Sequence, residues 1–272
     1  MLNPSASPVE MLVGLYRNRR LVGTLAIREV IGRYRGSMIG VLWSFVHPVL
    51  MLTMFTFVFG TVLKTRWGPE VGTGGDFALV LFAGMLVFNF FSECVNQAPT
   101  LVTSNVNYVK KVVFPLDTLI WVSLAAALFH MGVGLCIWLA FFVALKGWPQ
   151  MTVLLLPLAV LPIVLLAAGT SWLLASLGVF LRDVRHVTGV ATTAMMFLSP
   201  LFYPMEAFPP EYRPYIMLNP ATLAIEHVRD VLLWNRVPAP ASYLAYLCAS
   251  LPIAWLGFAW FQKTRKAFSD VL

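Results

Sequence analysis

The chain has 272 residues, of which 59% are hydrophobic and only 11% charged, with a formal net charge of +7. An ordinary soluble domain carries about 25% charged residues, whereas here the apolar residues gather into blocks of the roughly 20 residues that a helix needs to cross a bilayer. Composition therefore excludes a soluble globular enzyme, and continuous apolar runs without polar alternation exclude a β-barrel.

The N-terminal stretch MLNPSASPVEMLVGLYRNRR lacks the basic start, apolar block and small-residue cleavage site of a signal peptide. Residues 1–37 are expected to form a cytoplasmic amphipathic segment. Ile27, Val30, Ile31 and Tyr34 follow the i, i+3, i+4, i+7 spacing of one helical face, and Glu29 and Arg33 pair at i, i+4 on another. Such a helix lies along the membrane surface.

Six crossings follow, at 38–63, 77–98, 117–145, 151–181, 187–203 and 241–261. The fifth is close to the lower limit for spanning. Thirteen lysines and arginines fall on one side, in the N-terminal segment, Lys110 with Lys111, Arg182 with Arg185 and the tail 262–272, against six on the other. The excess of positive charge places both termini in the cytoplasm and explains the net charge without nucleic acid. The fold class expected is an all-α polytopic membrane protein, a single transmembrane domain over 1–272.

Between crossings two and three, TSNVNYVKKVVFP at 103–115 suits one small helix, capped by Ser104 or Asn105 and ended by Pro115. After crossing five, Pro200 and Pro204 break the helix. Residues 204–240 then read as an external re-entrant hairpin. Within it Leu223, Glu226, His227 and Asp230 share one helical face, and Ala224, Val228, Val231 and Leu232 share another.

Little in the sequence speaks of bond-making chemistry. No phosphate-binding G-x-x-x-x-G-K-[ST] loop is present, and the glycine-rich stretch at 72–76 reads as a flexible external loop. Cys94, Cys136 and Cys248 are scattered through apolar stretches as small core residues. His47, His130, His186 and His227 lack metal-ligand spacing, although His130 lies within crossing three, where an ionisable group is either functional or hydrogen-bonded to a neighbouring helix. Asn89, Glu93, Asn96 and Gln97 form a polar stripe on crossing two. That stripe lines a hydrophilic conduit or packs helices together.

Three segments in this order, RYRGSMIGVLWSFVHPVL, NVNYVKKVVFP and FYPMEAFPPEYRPYIMLNPATLAIEHVRDVLL, resemble the membrane subunit of ABC exporters of cell-surface polysaccharides. The resemblance spans about residues 12–265 and implies export of lipid-linked O-antigen, capsule or teichoic acid through the bacterial inner membrane. It implies a homodimer with two copies of a separate ATP-binding subunit, which holds the ATP and Mg2+, so that this chain needs no cofactor and is no enzyme. The N-terminal helix becomes the interface helix, and Asn105, Asn107, Lys110, Lys111, Phe114 and Pro115 become the region that receives force from the ATPase. Phe55, Phe59, Phe88, Asn89, Glu93 and Tyr203 become candidates for lining the channel. Pro204, Glu211, Tyr212, Asn219, Pro220, Glu226 and Arg229 belong to the external gate. The same architecture suits an exporter of a small hydrophobic or lipid substrate. A membrane-embedded transferase on a lipid carrier would need a denser polar site than the stripe and His130.

Overall fold

The computed structural model describes residues 6–62, 74–110 and 114–272, which form helices and connecting turns with no strand among them. In chain order the helices are α1 (Pro8–Arg17), α2 (Arg19–Arg33), α3 (Trp43–Phe55), α4 (Gly74–Leu101), α5 (Val106–Val109), α6 (Thr118–Lys146), α7 (Leu156–Phe180), α8 (Val184–Phe197), α9 (Arg213–Met217), α10 (Pro220–Leu232), α11 (Pro240–Thr264) and α12 (Phe268–Val271). Among the described residues five stretches are long and apolar enough to cross a membrane, at Gly40–Val58, Gly75–Leu101, Thr118–Lys146, Met151–Phe180 and Pro240–Val271. The segment at 187–203 differs from expectation. Its helix, α8, has 14 residues, about 21 Å at 1.5 Å per residue, against about 30 Å of hydrocarbon. The glycines at 74 and 75 open α4 instead of forming a loop.

Two ends of the bundle are defined by contacts. At one, the Arg265 guanidinium lies 3.7 Å from the Asp117 carboxylate before α6, and the Trp255 indole donates to the Ala6 carbonyl ahead of α1 at 2.9 Å. Phe268 packs beside Phe180 at the close of α7. At the other end, Lys146 pairs with Asp76 at 2.8 Å, Tyr243 donates to the Leu158 carbonyl at 3.1 Å and Thr152 donates to the Val231 carbonyl at 2.8 Å. Since α7 finishes at the first end and α11 begins at the second, residues 181–239 carry the chain back across the height of the bundle.

Helix α4 is the hub. The apolar window of α4 is 78% buried and that of α3 only 11%, so α3 stands at the edge. On the other flank α7 and α11 run backbone to backbone. A side chain at Gly169 would collide with the Ile253 carbonyl, and one at Gly257 with the Gly169 carbonyl, the small-residue contact that lets membrane helices approach closely.

The face that seats α2 is displaced from the expected one. Val22 and Ala26 are buried against Val122 of α6, and Val30 is buried as well, while Ile27 and Ile31 are exposed. Leaning on α6, α2 carries its last residue, Arg33, as far as His130. Arg33 accordingly pairs with Glu93 of α4, not with Glu29. Of the cysteines only Cys94 is buried.

Candidate functional site

The polar stripe on α4 follows helical spacing, so its side chains emerge on one side of the hub helix. Asn89, Glu93 and Asn96 open into a cavity of about 540 Å³ between α3, α4 and α6. Ser44, His47 and Met51 line it from α3, His130 from α6, and Arg33 and Tyr34 from the close of α2. The same residues thus face a cavity and bind neighbouring helices.

Glu93 is the centre of that bonding. Its carboxylate accepts from Arg33 at 2.7 Å and lies 3.0 Å from Nδ1 of His130. The Tyr34 hydroxyl lies 3.3 Å from Nε2 of His130, with the rings edge to face. Burial holds the Tyr34 phenol above its usual range, so the hydroxyl keeps its proton. Nδ1 of His130 faces both Glu93 and Nη1 of Arg33, the latter 3.1 Å away. A carboxylate facing protein and cavity in this way meets the requirement that an ionisable group in a membrane be paired.

The stripe also reaches α8 and the end of α4 near Leu101. Asn96 donates to Thr192 of α8 at 3.1 Å, and Ser123 of α6 donates to Gln97 at 3.1 Å. Gln97 lines a second cavity, of about 520 Å³, with Arg28, Glu29, Arg33, Asn105 and Tyr108.

The remaining expected residues fall into distinct settings. Asn105 does not cap α5; its amide donates to the Leu101 carbonyl at 2.8 Å and closes α4. Asn107 and Lys110 are exposed, and Lys111 lies outside the described residues. Phe114 stacks on Tyr108 at 4.3 Å, and the Pro115 carbonyl accepts the Thr118 hydroxyl at 2.6 Å. Phe88 is buried in a cluster with Leu201 and Ile225, against which Phe55 packs, so neither faces the cavity. The side chain of Phe59 lies outside the described residues. The Tyr203 hydroxyl donates to the Phe197 carbonyl, and its ring meets Phe208 edge-on at 4.7 Å.

Between α8 and α9, Pro204 precedes a short turn, while Glu211 and Tyr212 are exposed. Asn219 caps α10 through the Ala221 amide and donates to the Met195 and Leu198 carbonyls at the close of α8. Pro220 follows at the first position of α10, where its missing N–H costs nothing. Arg229 is fully buried and donates to the carbonyls of Val80, Pro200 and Leu201, with Glu226 3.4 Å away. It is a fastener between α10, α4 and the chain leaving α8. Sequence reasoning missed Ser44, His47 and Thr192 as neighbours of the stripe. The only signal was that a carboxylate on a central helix needs partners.

Comparisons with known proteins agree on one family. Residues 20–233 match the ABC-2 type transporter family. The O-antigen export system permease protein RfbA of Myxococcus xanthus is 25% identical over 264 residues, covering 96% of this chain and 99% of that protein. The polysialic acid transport protein KpsM of Escherichia coli is 22% identical, covering 90% and 94%. The capsule polysaccharide export inner-membrane protein CtrC of Neisseria meningitidis is 26% identical, covering 91% and 92%.

Proposed function

Because the chain belongs to the ABC-2 type transporter family, we propose that it is the permease subunit of an ATP-driven exporter of lipid-linked polysaccharide across the bacterial cytoplasmic membrane. The cargo class is O-antigen, capsule or teichoic acid. Relatives named for O-antigen, polysialic acid and capsule export, each aligned over nine-tenths of the chain, support this reading. The observation that carries it is the cavity of hydrogen-bonding side chains on the hub helix of an otherwise apolar bundle. A long hydrophilic polymer needs many weak contacts to keep moving, as ions do in a channel, and amides, hydroxyls and rings supply them.

In the same reading α8 and residues 198–203 make a sixth, short crossing. Both termini are then cytoplasmic, in keeping with the shared end of α1 and α11. Residues 204–240 form the external hairpin, tolerable at that depth because protein surrounds it. Two copies of this chain pair with two ATP-binding subunits, which hold ATP and Mg2+. The exposed apolar side of α3, with Trp43, Phe45, Val49 and Leu50, offers the second copy a surface.

Force from the ATPase arrives at α2 and at 103–115. Arg33 joins α2 to α4, and Asn105 closes α4 at its cytoplasmic end. Helix α4 passes the motion to α8 through Asn96 and Thr192, and to α10 through Val80 and Arg229. One rigid helix thus links the soluble engine to the external hairpin.

The test is purification with the adjacent ATP-binding subunit and measurement of ATP hydrolysis in lipid, with and without lipid-linked glycan. A stable two-plus-two complex stimulated by the glycan is expected. Stimulation by a small lipid alone would move the cargo to hydrophobic molecules. A chain that recruits no ATPase and modifies a lipid-linked sugar would refute transport.

A further inference from the structure

We propose that Arg33 and Glu93 form a two-position cytoplasmic gate, closed when Arg33 pairs with Glu93 and open when it pairs with Glu29. Among the described residues Arg33 is the one side chain that lines both the 540 Å³ intramembrane cavity and the 520 Å³ cytoplasmic one. Its 2.7 Å contact with Glu93 is therefore the partition between them. The inference rests on the export reading for its cargo, a hydroxyl-rich sugar chain, but the gate itself is a property of this chain.

Three observations suit a contact that breaks and reforms. The Arg33 side chain is 32% exposed against 18% for Glu93, so the arginine is the partner with room to swing. Both charges keep partners in either position. Glu93 retains His130 at 3.0 Å and Gln97 at 3.4 Å when Arg33 leaves. Arg33 has Glu29 one turn back on its own helix, facing the cytoplasmic cavity, at the i, i+4 spacing that favours pairing.

The third observation is the connection. Between α2 and α3 the chain turns through Gly36 at φ +90° and Gly40 at φ +55°, and a Cβ at either would meet nothing within 4 Å. Only glycine adopts such angles without cost. The connection is therefore a joint with room around it, and α2 can pivot without dragging α3. Asn105 and Tyr108, from the region proposed to receive the ATPase, wall the same cytoplasmic cavity, so a push there bears on α2.

Thiol labelling of the full-length chain in inside-out vesicles tests the gate without glycan or ATP. Cys94, Cys136 and Cys248 are replaced by alanine or serine, and Ser92→Cys places a reporter in the intramembrane cavity. An impermeant maleimide should label the parent slowly. Arg33→Gln and Glu93→Gln should each label about tenfold faster, the factor that about 1.4 kcal/mol produces in a closed–open equilibrium. Glu29→Gln, which removes only the open-state partner, should label no faster than the parent. Glu93→Asp, one methylene shorter and unable to span the contact, replaces Glu93→Gln should that variant fail to assemble. Parent-like labelling of the Arg33 and Glu93 variants, acceleration of only one of the two, or equal acceleration by Glu29→Gln would overturn the gate. Any of these would leave the glycan-stimulated ATPase result standing. Labelling as expected without glycan stimulation would keep the gate and change its cargo.

Discussion

The two flanks of α4 are built on opposite terms. On one, α7 and α11 meet at Gly169 and Gly257 with no space for a side chain. Elsewhere on the buried side, Arg229 fastens α10 to α4 and to the chain leaving α8. On the other, α3 is scarcely covered, and a cavity of about 540 Å³ holds a carboxylate, an arginine and a histidine within contact distance. Close-packed backbone has one arrangement, because any sliding costs van der Waals contact along the whole seam. Polar side chains around a cavity have several, because each can exchange partners. The difference separates a scaffold from a moving part.

Substitutions should divide along the same line. The largest effect belongs to the seam: Gly257→Leu forces α7 and α11 apart, costs about 3 kcal/mol or more and should prevent recovery of folded protein from detergent. A folded Gly257→Leu chain with unchanged thermal unfolding would erase the contrast. Next, Arg229→Met leaves the carbonyls of Pro200 and Leu201 without their guanidinium donors and takes from Val80 its link to α10. A loss of about 3 kcal/mol is expected, measured as a lowered unfolding temperature.

Asn219→Ala is smaller. It removes the cap of α10 and the two bonds to α8, for about 1 kcal/mol. Hydrogen exchange should rise at the close of α8 and the start of α10, with the α7–α11 seam unchanged. Smallest in stability is Asn89→Ala, exposed to the cavity, within about 0.5 kcal/mol of the parent. Export of glycan by that variant should nevertheless slow in reconstituted vesicles. Equal loss of stability at Asn89 and Asn219 would show that the cavity wall is scaffold after all.

The sequence determined a good deal without help. Twenty-residue apolar blocks can only be membrane helices, since lipid satisfies no backbone hydrogen bond. Helical spacing alone put Asn89, Glu93, Asn96 and Gln97 on one face, and set the Ala224, Val228, Val231, Leu232 face of α10 apart from that of Leu223, Glu226, His227 and Asp230. These are local properties, set by 3.6 residues per turn and by hydropathy.

What required the tertiary structure is partnership across distance in the chain. Glu29 and Arg33 satisfy the i, i+4 rule, yet Arg33 bonds Glu93, because α2 leans on α6 and brings its last turn to the hub. Phe88 and Asn89 are neighbours in sequence, but one is buried against Leu201 and the other faces the cavity. Arg229, one charge among nineteen Lys and Arg residues, is buried because the carbonyls of Pro200 and Leu201, outside any helix, and that of Val80 on α4 converge on it. Spacing along a helix decides which side chains share a face; only the packing of helices decides what that face meets.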